Sequence, residues 1–316
     1  MAAGLTDIAG IKVGTASNLE AATGVTVVLV EEGARAAVEV RGSAPGTRET
    51  DLLCPGQLVE NIQAIVLAGG SAFGLDAASG VVRYLEDNNR GFQVGQFSIP
   101  IVPAAVLFDL FIGDGNVRPD SEMGYRACIS ASPEAVAEGS IGAGCGATVG
   151  KIHGMINAVK SGQGSSSKVI DNLVVAALVA VNAFGDIYDN QGRLLAGPRN
   201  PETGIMEKTL DLLINTGKSG FFGNTTLGVV ATNADLDKAA LNKICQLAHD
   251  GLARSIWPVH TMWDGDTIFA LSKGNLKADL NLVGLMAAEA MAAAVRRAVI
   301  KATSLCQVPS ISELGS

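Results

Sequence analysis

The sequence predicts a mixed α/β domain in which helices cover β-sheets. Apolar runs rich in Val, Ile and Leu, typical of buried strands, alternate with segments whose apolar residues recur every three or four positions, as in amphipathic helices. The chain has 316 residues, 48% of them hydrophobic and 17% charged, and can therefore bury a large core. Because no linker or internal repeat divides it, we expect residues 1–316 to form a single domain.

The expected strands are apolar segments bounded by Gly, Asn or Asp. They are "VTVVLV" (25–30), "ARAAVEVRG" (34–42), "AIVLAGG" (64–70), the centre of "NLVVAALVAVNAFGDIYD" (172–189) and residues 225–233 within "GNTTLGVVATNA" (223–234). The first two of these segments are expected to pair as a hairpin that turns at Glu31-Glu32-Gly33. The Gly- and Ser-rich segment "SGQGSSSKVIDN" (161–172) is expected to be a loop.

Three segments have the helical period. They are residues 75–88, 236–256 and 282–302. Asn233 or Asp235 is expected to cap the second of these helices, because Asn and Asp side chains accept hydrogen bonds from the free N–H groups of a first turn.

Charge and composition exclude several classes of partner. The chain has 23 Lys and Arg against 31 Asp and Glu, a net charge of −8, and lacks the basic stripe of a protein that binds nucleic acid or an anionic membrane. Its longest apolar run, residues 173–181, is too short to span a bilayer, and its start lacks the pattern of a secretory signal. Five scattered cysteines without a CxxC pair predict reduced thiols and no zinc site. We expect a soluble, cytoplasmic protein.

Familiar cofactor and hydrolase motifs do not fit. "GAGCGATVGK" (142–151) ends like a phosphate loop, but Cys145 replaces a required glycine and Ile152 replaces the Ser or Thr. "SSSK" (165–168) matches a serine/lysine hydrolase pattern only by chance, since no helix is predicted after it. HExxH and GxSxG are absent, and three dispersed histidines suggest neither a triad nor a metal cluster. No cofactor and no metal are expected.

The start of "GNTTLGVVATNA" allows two interpretations. Thr favours strands and Asn and Gly favour turns, so the segment could be an ordinary strand start. Alternatively, Thr225 becomes the first residue of a new chain, where its own α-amino group, with a pKa of about 7.7–8.0, can take the hydroxyl proton. That requires cleavage of the Asn224–Thr225 bond, and the preceding segment, residues 215–224, is expected to be exposed enough for a cut.

Other polar residues could complete such a site. In "WDGDT", Asp264 and Asp266 lie on one side of an extended segment, where they could orient an ammonium group and a hydroxyl. Taken alone, the residues Asp264-Gly265-Asp266 also fit a solvated turn. Lys151 and Asn182 are the remaining candidates.

Segments along nearly the whole chain carry a family resemblance. They are "LTDIAGIKVGTAS", "VRGSAPGTRETDLL", "AIVLAGGSAFGLDAA", "IPIVPAAVLFDL", "GAGCGATVGK", "ALVAVNAFGD", "NTTLGVVATNA" and "AHDGLARSIWPVHTMWDGDTIFALS". The chain resembles the self-processing family of L-aminopeptidase/D-esterases, β-peptidyl aminopeptidases and nylon-oligomer hydrolases. In that family a precursor cleaves itself and leaves Ser or Thr at the amino terminus of the smaller subunit. Aligning "VVATNA" places this nucleophile at Thr225 rather than Thr226, which implies subunits 1–224 and 225–316.

The resemblance also implies a fold and an assembly. It implies an α+β fold, a four-layer α/β/β/α sandwich of two stacked sheets between helical layers. This fold resembles that of N-terminal-nucleophile hydrolases but has different connectivity. It further implies a homotetramer of processed pairs. Thr225 with Asp264 and Asp266 favours the nylon-oligomer branch, because the aminopeptidase branch typically has Ser and a Ser-x-Glu pair. Phe108 stands where a tyrosine hydroxyl often helps to bind the reacting carbonyl.

The roles implied for the site residues follow. Thr225 is the nucleophile, Asn182 an oxyanion donor and Lys151 a stabiliser of charge, while Asp264 and Asp266 orient the amine and the hydroxyl. The expected substrate is a small peptide or a linear oligoamide such as a 6-aminohexanoate oligomer. Three alternatives remain: an aminopeptidase or β-aminopeptidase acting on natural peptides, an acyl transferase of the ornithine acetyltransferase type, and a glycine-rich assembly protein without activity.

Overall fold

The computed structural model describes residues 4–217 and 223–315, which contain sixteen strands and six helices. The strands are β1 (Lys12–Asn18), β2 (Thr23–Val40), β3 (Gly46–Arg48), β4 (Asn61–Ala68), β5 (Phe92–Val94), β6 (Phe97–Ile99), β7 (Ala104–Val106), β8 (Thr148–Val149), β9 (Val159–Lys160), β10 (Gln163–Ile170), β11 (Leu173–Asn182), β12 (Asp186–Tyr188), β13 (Leu194–Ala196), β14 (Thr225–Ala234), β15 (Ile256–Trp257) and β16 (Thr267–Leu276). The helices are α1 (Ala77–Asp87), α2 (Ser121–Ile129), α3 (Thr209–Thr216), α4 (Lys238–Ala253), α5 (Leu280–Ile300) and α6 (Ile311–Leu314). Short 3₁₀ segments occur at Leu5–Asp7, Asp51–Leu53, Ser71–Asp76, Gly142–Gly144 and Met155–Asn157.

One long strand joins the two halves of the main sheet. Within the described ranges the sheet has nine strands in the order β10-β11-β14-β16-β2-β4-β7-β3, with β1 also paired to β2. The first half of β2 pairs with β1 and β4, and its second half pairs with β16. The pairing with β4 shifts register between Leu29 and Ala34, where Gly33 has a φ of 83°. Such an irregularity bends a strand and lets β2 contribute to both halves.

The predicted hairpin around Gly33 is therefore wrong. Residues 25–30 and 34–42 do not pair with each other, because Glu31 and Glu32 continue the extended strand instead of forming a turn. Gly33 provides a bulge rather than a reversal.

The predicted four-layer arrangement is confirmed by the way the core divides. Helices α4 and α5 pack on the outer face of β11, β14 and β16. Helices α1 and α2 pack on the outer face of β2 and β4. Between these layers the inner faces of the two halves meet, so that Leu178 and Val229 share an apolar cluster with Val28 and Leu67. The resemblance implied two stacked sheets; here they are the two halves of one sheet, joined by β2.

Strand directions bring the last residue of β11 and the first residues of β14 and β16 together at one end of these central strands. Strand β14 is antiparallel to β11 and parallel to β16. The last residue of β11, Asn182, is paired with the first residue of β14, Thr225. Leu227 is paired with Thr267, the first residue of β16. The predicted strand start at Thr225 is confirmed, and the residues just before β16 lie beside it.

The prediction for the Gly- and Ser-rich segment is wrong. Residues 163–170 form β10, an edge strand paired with β11. Small residues suit this position because α5 lies directly over the strand: a Cβ on Gly164 would lie 2.1 Å from the Ala294 carbonyl oxygen. Composition typical of a loop here reflects close packing of a helix on a sheet.

The predicted helices are confirmed as α1, α4 and α5, but the predicted cap of α4 is wrong. The Asp237 carboxylate accepts a hydrogen bond from the Ala240 N–H at 2.8 Å and caps the helix. Asn233 lies in β14 instead, and Asp235 forms an ion pair with Arg35.

Two further expectations concern access to solvent and membrane. Half of the segment expected to be an exposed loop before Thr225, residues 218–222, lies outside the described residues. In the described part Asn224 is buried, so the expected exposure is wrong at the residue before Thr225. A search of the described residues finds no helix with the length and apolar character needed to cross a bilayer.

The contact between α1 and α2 depends on two glycines. A Cβ on Gly124 would lie 1.9 Å from the Ala77 carbonyl oxygen, and one on Gly80 would lie 1.7 Å from the Ser121 carbonyl oxygen. We expect Gly124→Ala to push the helices apart and to lower the free energy of unfolding by about 1–3 kcal/mol, the usual cost of overpacking. Arg126→Ala, on the exposed face of α2, is the control and should change it by less than about 0.5 kcal/mol. Equal thermal unfolding midpoints for the two variants would contradict this packing.

Candidate active site

The residues predicted to form the site converge where β11 ends and β14 and β16 begin. Asn182 and Thr225 are paired across β11 and β14, and Asp264 and Asp266 precede β16. Each of these four side chains is buried, with at most 3% of the residue exposed. The interpretation of Asp264 and Asp266 as a solvated turn is therefore wrong.

Lys151 places a buried amine in this cluster. Its Nζ donates to Asn182 Oδ1 at 2.7 Å, to the Asn182 carbonyl oxygen at 3.3 Å and to the Gly223 carbonyl oxygen at 3.0 Å. Burial lowers the pKa of Lys151 to about 7, although the negative charge of Asp264 opposes the shift. The amine can therefore change its charge near neutral pH while it holds the chain two residues before Thr225.

The Asn182 amide connects Lys151 to Phe108. Its Oδ1 accepts from Lys151 and from the Thr148 N–H at 3.1 Å, and its Nδ2 donates to the Phe108 carbonyl oxygen at 2.8 Å. These contacts fix which end of the amide carries the donor. The expected role of Asn182 as an oxyanion donor stays a prediction, because its N–H group has a protein partner here.

Phe108 lies directly against the chain before Thr225. A Cβ on Gly223 would lie 2.6 Å from the Phe108 ring, and Gly223 has a φ of 101°, so glycine alone fits both the space and the backbone. The half-buried Phe108 ring also packs on Phe111, with 4.9 Å between centroids. The predicted substrate-binding residue is thus adjacent to the predicted cleavage site.

Gly265, between the two aspartates, contacts the predicted nucleophile. Its N–H donates to Thr225 Oγ1 at 3.1 Å. A Cβ on Gly265 would lie 2.7 Å from that oxygen and 2.6 Å from the Ala44 carbonyl oxygen. A fixed N–H donor favours negative charge on the oxygen that it faces. Sequence reasoning missed this residue because it treated the glycine only as a spacer.

Asp266 links the loop before β16 to β14. Its Oδ1 accepts from the Thr226 N–H at 2.7 Å, and its Oδ2 accepts from the His260 N–H at 3.2 Å and from His260 Nδ1 at 2.8 Å. The carboxylate therefore touches the residue that follows the predicted nucleophile. His260 was overlooked because the three histidines are far apart in the sequence.

Asp264 has a separate set of partners. Its Oδ2 accepts from the Thr261 N–H at 3.0 Å and from the Thr261 hydroxyl, and its Oδ1 lies 3.5 Å from the Phe184 nitrogen. Burial, together with the nearby charge of Asp266, raises the pKa of Asp264 to about 6. The cluster thus contains a carboxyl group and an amine whose pKa values both lie close to neutrality, a pattern typical of sites for proton transfer.

Asp109 supports the cluster from behind and was not predicted. Its Oδ1 accepts from the Gly70 N–H at 2.7 Å and its Oδ2 from the Thr23 hydroxyl at 2.8 Å. Burial raises the pKa of Asp109 to about 6. Because it directly follows Phe108, Asp109 fixes the turn whose carbonyl oxygen accepts from Asn182.

The remaining motifs and cavities lie apart from this cluster. "SSSK" is part of β10 on the sheet edge. Among the described residues, no group of three or more His, Cys, Asp and Glu is placed to hold a metal ion. A cavity of about 610 Å³ is lined by Lys168 of the "SSSK" motif and by other residues, including Tyr188, Trp257 and Arg296, but by none of the residues of the cluster around Thr225.

Comparison with known proteins identifies relatives over nearly the whole chain. The model of peptidase family S58 matches residues 3–309. An aminopeptidase of Mycobacterium tuberculosis, described as uncharacterized, is 39% identical over 98% of this chain and 97% of its own length. A 6-aminohexanoate-oligomer endohydrolase of Kocuria sp. is 31% identical over 92% of this chain and 84% of its own length. The solved L-aminopeptidase D-Ala-esterase/amidase of Ochrobactrum anthropi, described as a new variant of the Ntn hydrolase fold, superposes with a TM-score of 0.73 at 20% identity, covering 95% of this chain and 86% of its own. The predicted family and fold are confirmed.

The low pKa of Lys151 predicts a pH-dependent stability. We compare Lys151→Met with its parent in chains that both carry Thr225→Ala, so that the expected cleavage does not split the chain. The free energy of unfolding of the parent minus that of Lys151→Met should rise between about pH 7 and 10.5, with a slope of at most about 1.4 kcal/mol per pH unit. The reason is that the folded state releases the proton near pH 7, whereas the unfolded state keeps it up to about pH 10.5.

Urea unfolding at a series of pH values measures this difference. Lys168→Met, at an exposed position on β10, is the matched control and should give a constant difference over the same range. A flat difference for Lys151→Met as well would mean that the buried amine keeps its proton in the folded state.

Proposed function

The chain belongs to peptidase family S58, whose members hydrolyse amide bonds, and we propose that Thr225 is the nucleophile of this member. The protein would cleave its own Asn224–Thr225 bond and then act as an N-terminal threonine hydrolase. The observation that carries the proposal is the surroundings of Thr225 Oγ1. Thr225 is buried as the first residue of β14, and its Oγ1 accepts a hydrogen bond from the Gly265 N–H. In the segment just before it, the Gly223 carbonyl oxygen accepts a hydrogen bond from Lys151 Nζ.

Maturation begins with attack by Thr225 Oγ on the carbonyl carbon of Asn224. The C–O bond forms, the C–N bond breaks, and the hydroxyl proton passes to the departing nitrogen, which becomes the α-amine of Thr225. Water then hydrolyses the ester, which restores the hydroxyl and leaves a carboxylate on Asn224. Lys151, whose Nζ donates to the carbonyl oxygen of the preceding residue, Gly223, would stabilise the negative charge that develops in this step when its amine is protonated.

Turnover repeats this chemistry on a bound amide. The α-amine of Thr225 takes the hydroxyl proton, Oγ attacks the substrate carbonyl, and the amine product leaves with that proton. Water releases the acyl group from the resulting ester. Asp264 and Asp266 orient the amine and the hydroxyl, and the Asn182 amide serves as an oxyanion donor by exchanging its bond to Phe108 for one to the substrate.

The substrate that fits this cluster is a small peptide or a linear oligoamide. The half-buried rings of Phe108 and Trp263 provide apolar surface near the nucleophile, and the Trp263 ring packs on the fully buried Phe184 ring with 5.3 Å between centroids. Thr225 with the two aspartates supports 6-aminohexanoate oligomers, because the related endohydrolases act on them. The 39% identity to an aminopeptidase supports removal of amino-terminal residues from peptides as the second candidate. A panel of 6-aminohexanoate oligomers, β-peptides and peptide amides separates the two.

The resemblance supports a further part of the proposal, the assembly of the processed pairs into a homotetramer. The scattered cysteines without a CxxC pair support action in the cytoplasm, and the proposed chemistry needs no cofactor. No nucleic acid or membrane partner is proposed, in keeping with the net charge of −8.

Cleavage before Thr225 would divide the 32.3 kDa chain into pieces of about 23 and 9 kDa. We expect both on a denaturing gel and a single complex on native sizing, since β14 is buried between β11 and β16. Thr225→Ala should give one inactive full-length band because the attacking hydroxyl is gone. Thr226→Ala, which leaves that hydroxyl in place, is the matched control and should still be cleaved.

Amino-terminal sequencing of the smaller piece decides the position of the cut. A wild-type protein that is active as one uncut chain, or a new terminus other than Thr225, would refute the proposed nucleophile.

The proposed roles of Asn182 and Asp266 predict losses of rate without loss of fold. Asn182→Ala should lower kcat by about 10²–10³, the usual effect of removing an oxyanion donor. Asp266→Ala should slow turnover, maturation or both by at least about tenfold, because the Thr226 N–H loses its acceptor. Circular dichroism checks the fold, and gels and amide hydrolysis rates check the function. Either variant with the wild-type rate and wild-type processing would remove its residue from the site.

A further inference from the structure

His260 makes two contacts to one carboxylate oxygen. Its backbone N–H lies 3.2 Å and its Nδ1 lies 2.8 Å from Asp266 Oδ2. An ionised carboxylate only accepts hydrogen bonds, so Nδ1 carries the proton in this pair. The other oxygen of Asp266 accepts the Thr226 N–H, and each side of the carboxylate therefore has a donor.

The backbone of His260 makes this double contact possible. Its φ of 55° lies in the left-handed region, which Gly, Asn, Asp and His adopt more readily than other residues. In the described structure, the side chain and the N–H of this one residue converge on the same oxygen.

The imidazole is also held on its other side. Its ring packs edge-on against the ring of His249, with 4.8 Å between centroids and an interplanar angle of 74°. His249 donates through Nε2 to the Glu39 carbonyl oxygen at 3.1 Å. Burial lowers the pKa of His249 to about 4, so the ring that packs on His260 is uncharged at neutral pH. Only 18% of the His260 side chain is exposed, against 2% for Asp266.

We propose that His260 is a positioning residue that fixes the Asp266 carboxylate against the Thr226 N–H and so sets the place of Thr225 at the start of β14. The inference rests on the proposed function, since it concerns the geometry of the proposed nucleophile. Without the Nδ1 donor, Asp266 Oδ2 keeps only the weaker backbone contact. The carboxylate can then rotate about its terminal bond and release the Thr226 N–H.

Two substitutions that suit a positive φ test this role. His260→Gly removes the side chain and keeps the backbone N–H without conformational cost. His260→Asn keeps an N–H donor near the position of Nδ1 and tolerates the left-handed backbone. We expect His260→Gly to lower kcat and the rate of self-cleavage by about tenfold or more, with KM little changed, which corresponds to the loss of one charge-assisted hydrogen bond. His260→Asn should keep both rates within about threefold of wild type.

Comparison of the two variants separates positioning from a general loss of fold. Wild-type rates in His260→Gly would overturn the inference, and so would equal losses in both variants, because the asparagine donor would then not restore function. If His260→Gly does not fold, His260→Asp replaces it, since Asp has the shape of Asn but offers an acceptor. A wild-type protein that is not cut before Thr225 would instead refute the proposed function, and a denaturing gel of the wild type, with amino-terminal sequencing of any smaller piece, reports that outcome separately.

Discussion

The pairing of β14 between β11 and β16 is the constraint on which the site depends. Strand β11 is antiparallel to β14, and β16 is parallel to it. The C-terminal end of β11 therefore lies beside the N-terminal ends of β14 and β16. A shift of one residue in either pairing would turn Thr225 to the opposite face of the sheet and separate it from Gly265. The apolar residues of β14 face α4 and α5 on one side and the second half of the sheet on the other, so packing on both faces enforces the register.

A second constraint is electrostatic. The cluster buries one lysine and several aspartates, and charge removed from water is costly unless hydrogen bonds replace the lost hydration. Main-chain groups supply much of that replacement: carbonyls of residues 182 and 223 accept from Lys151, and N–H groups of residues 226 and 260 donate to Asp266. The part of the desolvation cost that these hydrogen bonds do not offset shifts the pKa values of Lys151 and Asp264 towards neutrality. The same desolvation that weakens these charges makes the groups able to exchange protons.

The sequence was most informative where a periodic pattern coincided with burial. Helices α1, α4 and α5 and the strand that starts at Thr225 could be predicted, because local pattern and tertiary environment agree there. The bend of β2 and the edge strand β10 could not, since Gly33 in a bulge and Gly164 beneath a helix have the composition of turns. Phe108 and the polar side chains of the site came from motifs and resemblance.

Gly265 and Asp109, which support the site, could not be predicted for another reason. Gly265 acts through its backbone, which no side-chain pattern reveals. Asp109 finds its partner Thr23 at a separation of 86 residues. The interleaved order of the sheet gives the proposed cleavage an additional consequence. Strands β14 and β16 would belong to one polypeptide, while β11 and β2 on either side of them would belong to another. Refolding after denaturation would then be a second-order reaction between two partners, slowed by dilution and open to aggregation of either one. The lifetime of such an enzyme would be set by its unfolding rate, since the uncut precursor from which it folded no longer exists.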